Sequence, residues 1–107
     1  MPAAVLLAVA ILTEVTATVA LRESDGFSRL WPSVIVVVGY GASFFFLALV
    51  LKKLEIGLVY AVWSGAGTAL IAVIGILAFG ETATAIKVGS IALIVLGVVG
   101  LNVGGAH

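Results

Sequence analysis

Cysteine is absent from the 107 residues, and the single histidine, His107, is the last of them. These absences exclude a disulfide framework, a thiolate metal site and any catalytic or metal cluster built on histidine. Charge is scarce too. Only 9% of the residues are charged, five basic and five acidic, so the net charge is zero. A soluble domain carries about 25% charged residues. Without a basic excess, nucleic acid is not an expected partner. Apolar residues make up 64% of the chain, and this composition reads as a membrane protein before any motif is considered.

Four long runs carry almost no charge. Residues 2–21 contain Glu14 as their only charge, and residues 31–51, 56–80 and 88–106 contain none. A helix needs about 20 apolar residues to cross a bilayer core, and in lipid only helices and closed barrels satisfy their backbone. Strand-like alternation is missing, so the expected fold is an all-α integral membrane protein of four transmembrane helices. One transmembrane domain over 1–107 is expected, with helices at about 3–21, 32–51, 57–79 and 86–104. The connections RESDGFSR (22–29), KKLE (52–55) and GETATAIK (80–87) are short, which makes consecutive helices antiparallel neighbours. A cleaved signal peptide fits residues 1–21 poorly, since a basic leading segment is missing and an acid interrupts the apolar stretch.

Four crossings place the N-terminus, the 52–55 loop and the C-terminus on one side. That side holds Lys52 and Lys53, and the other holds Arg22, Arg29 and Lys87. Orientation follows the difference in positive charge, which here is a single residue. One reading is a weakly biased protein oriented by something else. The other is that both orientations insert and an inverted pair assembles across the membrane.

Glu14 is the anomaly. It lies roughly 15 Å along its helix from Ala4, near the bilayer midplane, where an acid costs about 2.5 kcal/mol or more. No lysine or arginine lies in any of the four runs. The carboxyl is therefore expected to alternate between binding a proton and pairing with a cation that the chain does not encode. Its helical neighbours Ala10, Ala17 and Thr18 are small. Small neighbours leave space for a guest, or else allow close helix packing.

Aromatic residues accompany the acid. Tyr40, Ser43, Phe44 and Leu47 share one face of the second helix, and Tyr60, Trp63 and Gly67 share one face of the third. A desolvated cation over an aromatic ring gains about 2 kcal/mol. Trp31, at a helix start beside Pro32, reads as an interfacial belt residue, whereas Trp63 sits deeper. Gly65 and Gly67 in SGAG (64–67) read as a hinge or a packing notch. Gly89, Ser90 and Gly97 form a small-residue stripe suited to helix association. Four such helices enclose little space, so a pocket for a drug-sized ligand is expected to need a second chain.

Several motifs in order resemble the small multidrug resistance family, within the drug/metabolite transporter superfamily. They are TEVTAT (13–18), GFSRLWPS (26–33), YGASF (40–44), GLVYAVWSGAG (57–67) and the GLNV ending (100–103). The resemblance implies a transporter, not an enzyme, in the bacterial plasma (inner) membrane. It implies proton-coupled export of lipophilic and quaternary ammonium cations by an antiparallel, dual-topology homodimer, with no cofactor and no metal. Glu14 matches the acid shared by protons and substrate, and the two compete for it in both protomers. Thr18 matches a polar residue beside the acid, and Tyr40, Tyr60 and Trp63 match substrate-lining aromatics. Ser43, Phe44 and Ser64 are counted with that pocket. Gly65 and Gly67 match a third-helix kink. Gly89, Ser90, Leu93, Ile94 and Gly97 resemble a dimerisation motif, with Ser90 where the family has glycine.

Guanidinium exporters of the family usually carry a tryptophan one turn after the acid. They often carry a threonine after the third-helix tryptophan. Ala17 and Ser64 look like the drug branch instead. Ala4 stands where that branch commonly has an aromatic, and Glu55 where it commonly has proline. The alternatives are a guanidinium or small-metabolite exporter of the same family, or a rotor-type proteolipid carrying a lone membrane acid.

Overall fold

The structure, a computed structural model, describes residues 2–105. His107 lies outside the described residues. Four α-helices account for nearly all of the backbone: α1 (Ala3–Glu23), α2 (Leu30–Val50), α3 (Ile56–Ala78) and α4 (Ala85–Gly105). All four are long and apolar enough to cross a membrane. The fold is all-α, as expected.

The helix ends lie a residue or two from the expected ones. Apolarity stops at Leu21, but Arg22 and Glu23 continue α1, because straight-chain charged residues are good helix formers at a polar boundary. Ser24 then ends α1. It is fully buried, and its hydroxyl donates to the Leu21 carbonyl at 2.7 Å and accepts from the Phe27 N–H at 3.1 Å. Asp25, Gly26 and Phe27 follow with φ of 48°, 69° and 66°. Three left-handed residues in succession turn the chain sharply, and two of them carry side chains that disfavour that region. Arg29 closes the turn by donating its backbone N–H to the Ser24 carbonyl at 3.1 Å. Pro32 sits in the first turn of α2, where its missing N–H has no helical acceptor to lose.

The chain divides into two compact units, 1–54 and 55–107. In the first, α1 and α2 pack as an antiparallel hairpin. Ala10 and Ala17 of α1 are completely buried, as is Ser43 of α2. Ser43 donates to the Ala10 carbonyl at 2.9 Å. Gly39 sits against α1 so closely that a Cβ there would lie 2.8 Å from Ala17 Cβ and 3.3 Å from the Thr13 carbonyl oxygen. Small residues thus bring the two backbones together, the usual device of helix pairs in lipid.

In the second unit α3 and α4 form the other antiparallel pair. A Cβ on Gly65 would lie 2.7 Å from Val98 Cγ2. Gly80, at φ 66°, reverses the chain after α3, and the Glu81 N–H returns to the Gly75 carbonyl at 3.0 Å. The Glu81 carboxylate lies over Gly75 and pairs with Lys87 at 3.5 Å. Thr84 caps α4 by accepting the Lys87 N–H at 3.1 Å. Large apolar side chains stand exposed on all four helices, among them Leu12, Val37, Leu77 and Leu96. A soluble protein does not display so much apolar surface, and a lipid-facing one must.

Candidate functional site

Threonine in a helix normally returns its hydroxyl to the carbonyl four residues back. Two threonines of α1 do so: Thr13 donates to Val9 at 2.9 Å and Thr16 to Leu12 at 2.8 Å. Thr18 does not. Its Oγ1 donates to Glu14 Oε1 at 3.0 Å and lies 2.7 Å from the Tyr40 hydroxyl of α2. One helical turn separates Thr18 from the acid, and the antiparallel packing of α2 supplies the phenol. Glu14, Thr18 and Tyr40 are all half-buried.

Phe44, one turn along α2, stacks on Tyr40 with centroids 6.3 Å apart and planes 19° from parallel. It is exposed. The first unit therefore offers a carboxylate, two bridged hydroxyls and a pair of stacked rings. The carboxylate receives its bond from a hydroxyl, not from a cation. Such a set can bind a proton at Glu14, or hold a cation against the carboxylate and the rings.

The structure brings Glu14, Thr18, Tyr40 and Phe44 together, and it turns Ser43 to a different task. The Ser43 hydroxyl is buried between the two helices and engaged by Ala10. Of the two readings of the small residues around Glu14, space for a guest fails at Ala10 and Ala17. Both are closed over by α2, and the methyl of Ala17 meets Gly39. Their smallness admits a helix backbone instead.

Gly39 was not anticipated as part of the site. Its signal lay in the sequence all the same. Glycine inside a helix costs about 1 kcal/mol relative to alanine, so one beside Tyr40 in an apolar helix asks for a close neighbour.

Tyr60, Trp63 and Ser64 belong to the second unit. Tyr60 is exposed, and Tyr60 and Trp63 meet edge to face, with centroids 6.3 Å apart and planes at 81°. Gly65 receives Val98, and α3 continues without a break through Gly65 and the buried Gly67. On α4, Gly89, Ser90, Leu93 and Gly97 are exposed, and a Cβ at Gly89 or Gly97 would touch nothing within 4 Å. Ile94 is half-buried and faces Gly65. A groove of about 410 Å³ runs between α3 and α4, lined by Gly65, Ala69, Val73, Ile91, Val95 and Val98 among others. It contains no titratable group.

The model of the Small Multidrug Resistance protein family matches residues 3–94. The chain belongs to the small multidrug resistance family. It is 49% identical over 96 residues to the quaternary ammonium compound-resistance protein QacE of Escherichia coli, covering 90% of this chain and 87% of that protein. It is 50% identical over 98 residues to the uncharacterized membrane protein YvaE of Bacillus subtilis, covering 92% and 82%. It is 45% identical over 101 residues to the multidrug resistance protein EbrB of the same organism, covering 94% and 86%. The family match spans both helical pairs and includes Glu14, Thr18, Tyr40, Tyr60 and Trp63. With its four apolar helices this family member is a multi-pass membrane protein with bacterial relatives.

Proposed function

We propose that the protein exports lipophilic and quaternary ammonium cations in exchange for protons, with Glu14 as the group both compete for. The observation that carries this reading is a half-buried carboxylate within a membrane span, bonded to a hydroxyl in a helix pair whose one basic residue is Arg22, in the last turn of α1. The relatives named for multidrug and quaternary ammonium resistance support the substrate class.

The protein works as an antiparallel homodimer, so that two Glu14 carboxylates face one chamber. The near balance of loop charge, Lys52 and Lys53 against Arg22, Arg29 and Lys87, supports insertion in both orientations. Gly89, Ser90, Leu93, Ile94 and Gly97 form the contact between protomers. Tyr40 and Phe44 give the cation at Glu14 its aromatic surroundings, and Tyr60, Trp63 and Ser64 are the substrate-lining candidates of the second unit. Gly65 and Gly67 let α3 bend as access alternates.

Export then follows from competition at one site. A cation binds from the cytoplasm as Glu14 gives up its proton. The dimer exchanges its open side, and external protons displace the cation. The two flows remain coupled while the empty, ionised dimer switches sides slowly.

Glu14→Gln keeps the shape of the side chain and removes its charge. In proteoliposomes under a pH gradient this variant is expected to insert normally and to lose ethidium efflux. Normal proton-driven efflux by Glu14→Gln overturns the reading. Guanidinium in the same cation panel separates drug export from guanidinium export.

A further inference from the structure

We infer that Thr18 is a polarity relay: its hydroxyl ties the Tyr40 hydroxyl to the Glu14 carboxylate, so that a proton gained or lost at Glu14 reverses both hydrogen bonds and changes what Tyr40 offers a cation. The inference rests on the proposed function and deepens it at the same site.

Proton counting carries the argument. A hydroxyl has one proton to give and lone pairs to receive. When Glu14 is ionised it can only accept, so Thr18 spends its proton on Glu14 Oε1 at 3.0 Å. The 2.7 Å contact to Tyr40 must then be donated by the phenol. The chain runs Tyr40 to Thr18 to Glu14, and the tyrosine oxygen keeps its lone pairs free. A donating phenol is also more electron-rich, which strengthens its ring as a cation partner.

When Glu14 is protonated, its O–H donates to Thr18 and the Thr18 proton turns to Tyr40. The Tyr40 proton is released to point elsewhere. Each hydroxyl keeps its own proton throughout, and only the directions change. Tyr40 thus presents an electron-rich face when the site needs a cation, and a free O–H when it should let one go. Protonation removes the cation's partners at the carboxylate and at the ring together.

Two features favour this reading over a chance contact. Thr18 forgoes the backbone carbonyl that Thr13 and Thr16 both take. Charge is also sparse around the hydroxyls. Tyr40 is the only titratable side chain in α2, and α1 adds to Glu14 only Arg22, one helical turn beyond Thr18, and Glu23, which are solvent-exposed and pair with each other at 3.3 Å. Thr18 is a positioning residue in this scheme, since it acts on the cation through Tyr40.

The test is infrared difference spectroscopy of the protein in lipid, titrated through the ionisation of Glu14. Tyr40→Phe assigns the Tyr40 C–O band. In the parent that band is expected to shift with Glu14 ionisation, and in Glu14→Gln no shift is expected. Thr18→Val, which replaces the hydroxyl with a methyl, is expected to abolish the shift, and Thr18→Ser to restore it. The ratio of tetraphenylphosphonium affinity at high pH to that at low pH should fall about fivefold in Thr18→Val, an ordinary hydrogen bond's worth. Should Thr18→Val not insert, Thr18→Ala is the same test. A Tyr40 shift that persists without the Thr18 hydroxyl overturns the relay. Proton-driven efflux retained by Glu14→Gln overturns the transport reading instead, and the Tyr40 band of the parent still reports on the relay.

Discussion

Ser43 and Thr18 carry similar hydroxyls and do opposite work. Ser43 is sealed between two helices and spends its proton on the Ala10 carbonyl. Thr18, half-buried, spends its proton on a group that can change charge. The first hydroxyl fixes geometry and the second responds to protonation. Ser43→Ala should therefore lower stability without moving the pH dependence of cation binding. Its cost is expected to be about 0.6 kcal/mol, the average for a hydrogen bond between membrane helices. Unfolding in mixed micelles measures the stability, and a pH titration of tetraphenylphosphonium binding measures the rest. Residue-level reading of the sequence found Glu14, because transfer of an acid into lipid is costly wherever its helix points. It placed Ser43 beside a pocket, because one turn from Tyr40 is the same face by spacing. Ser43 and Phe44 point about 100° apart on α2, and it is the packing of α1 that takes Ser43 into the helix contact and leaves Phe44 exposed.

The α1–α2 pair depends on the smallness of two residues. With alanine at 17 and glycine at 39, a single methyl fills the contact. Gly39→Ala adds a second methyl where a Cβ would lie 2.8 Å from Ala17 Cβ. Overpacking of this kind costs about 1–3 kcal/mol, and the strain falls one turn from Glu14. The double variant Ala17→Gly with Gly39→Ala should recover most of the loss, since it returns one methyl to the interface. Thermal unfolding of the parent and the two variants in lipid checks this, and equal stability of the single and double variants would rule the contact out. Tryptophan at position 17 has no place in this contact unless the helices part. Alanine at position 17 is therefore a matter of helix packing in this chain. Sequence periodicity could not find the contact: α1 and α2 are apolar nearly all round, so no stripe marks the face each helix turns to its partner.

For the molecule as a whole, lipid takes the place of a large core. Among the described residues α4 has no buried side chain, and four half-buried ones (Lys87, Ile91, Ile94 and Val98) mark its inner face. Gly89 and Gly97 lie off that face, with nothing near enough to meet a side chain. Gly89→Ile and Gly97→Ile should therefore leave a single chain undisturbed and act only on the proposed contact between protomers. Crosslinking in lipid is expected to show loss of the dimer together with loss of ethidium efflux, while helix content stays unchanged. A dimer that survives both substitutions would place the contact elsewhere.

The sequence by itself determined the solvent, the number of helices and the place of the acid. Each follows from the free energy of moving residues from water to lipid, which adds up along the chain and needs no partner. It also determined the family, through motifs that lie in order from 13 to 103. Only the tertiary structure decided that Ala10 and Ala17, beside Glu14, receive a helix instead of a guest, and that Gly39 packs against the helix that carries the acid. It alone joined Thr18 to Tyr40, 22 residues apart in the chain and 2.7 Å apart in space. The reason is rotational. A helix that is apolar on every side can turn about its axis at little cost in lipid, and side-chain fit with its neighbour sets the angle.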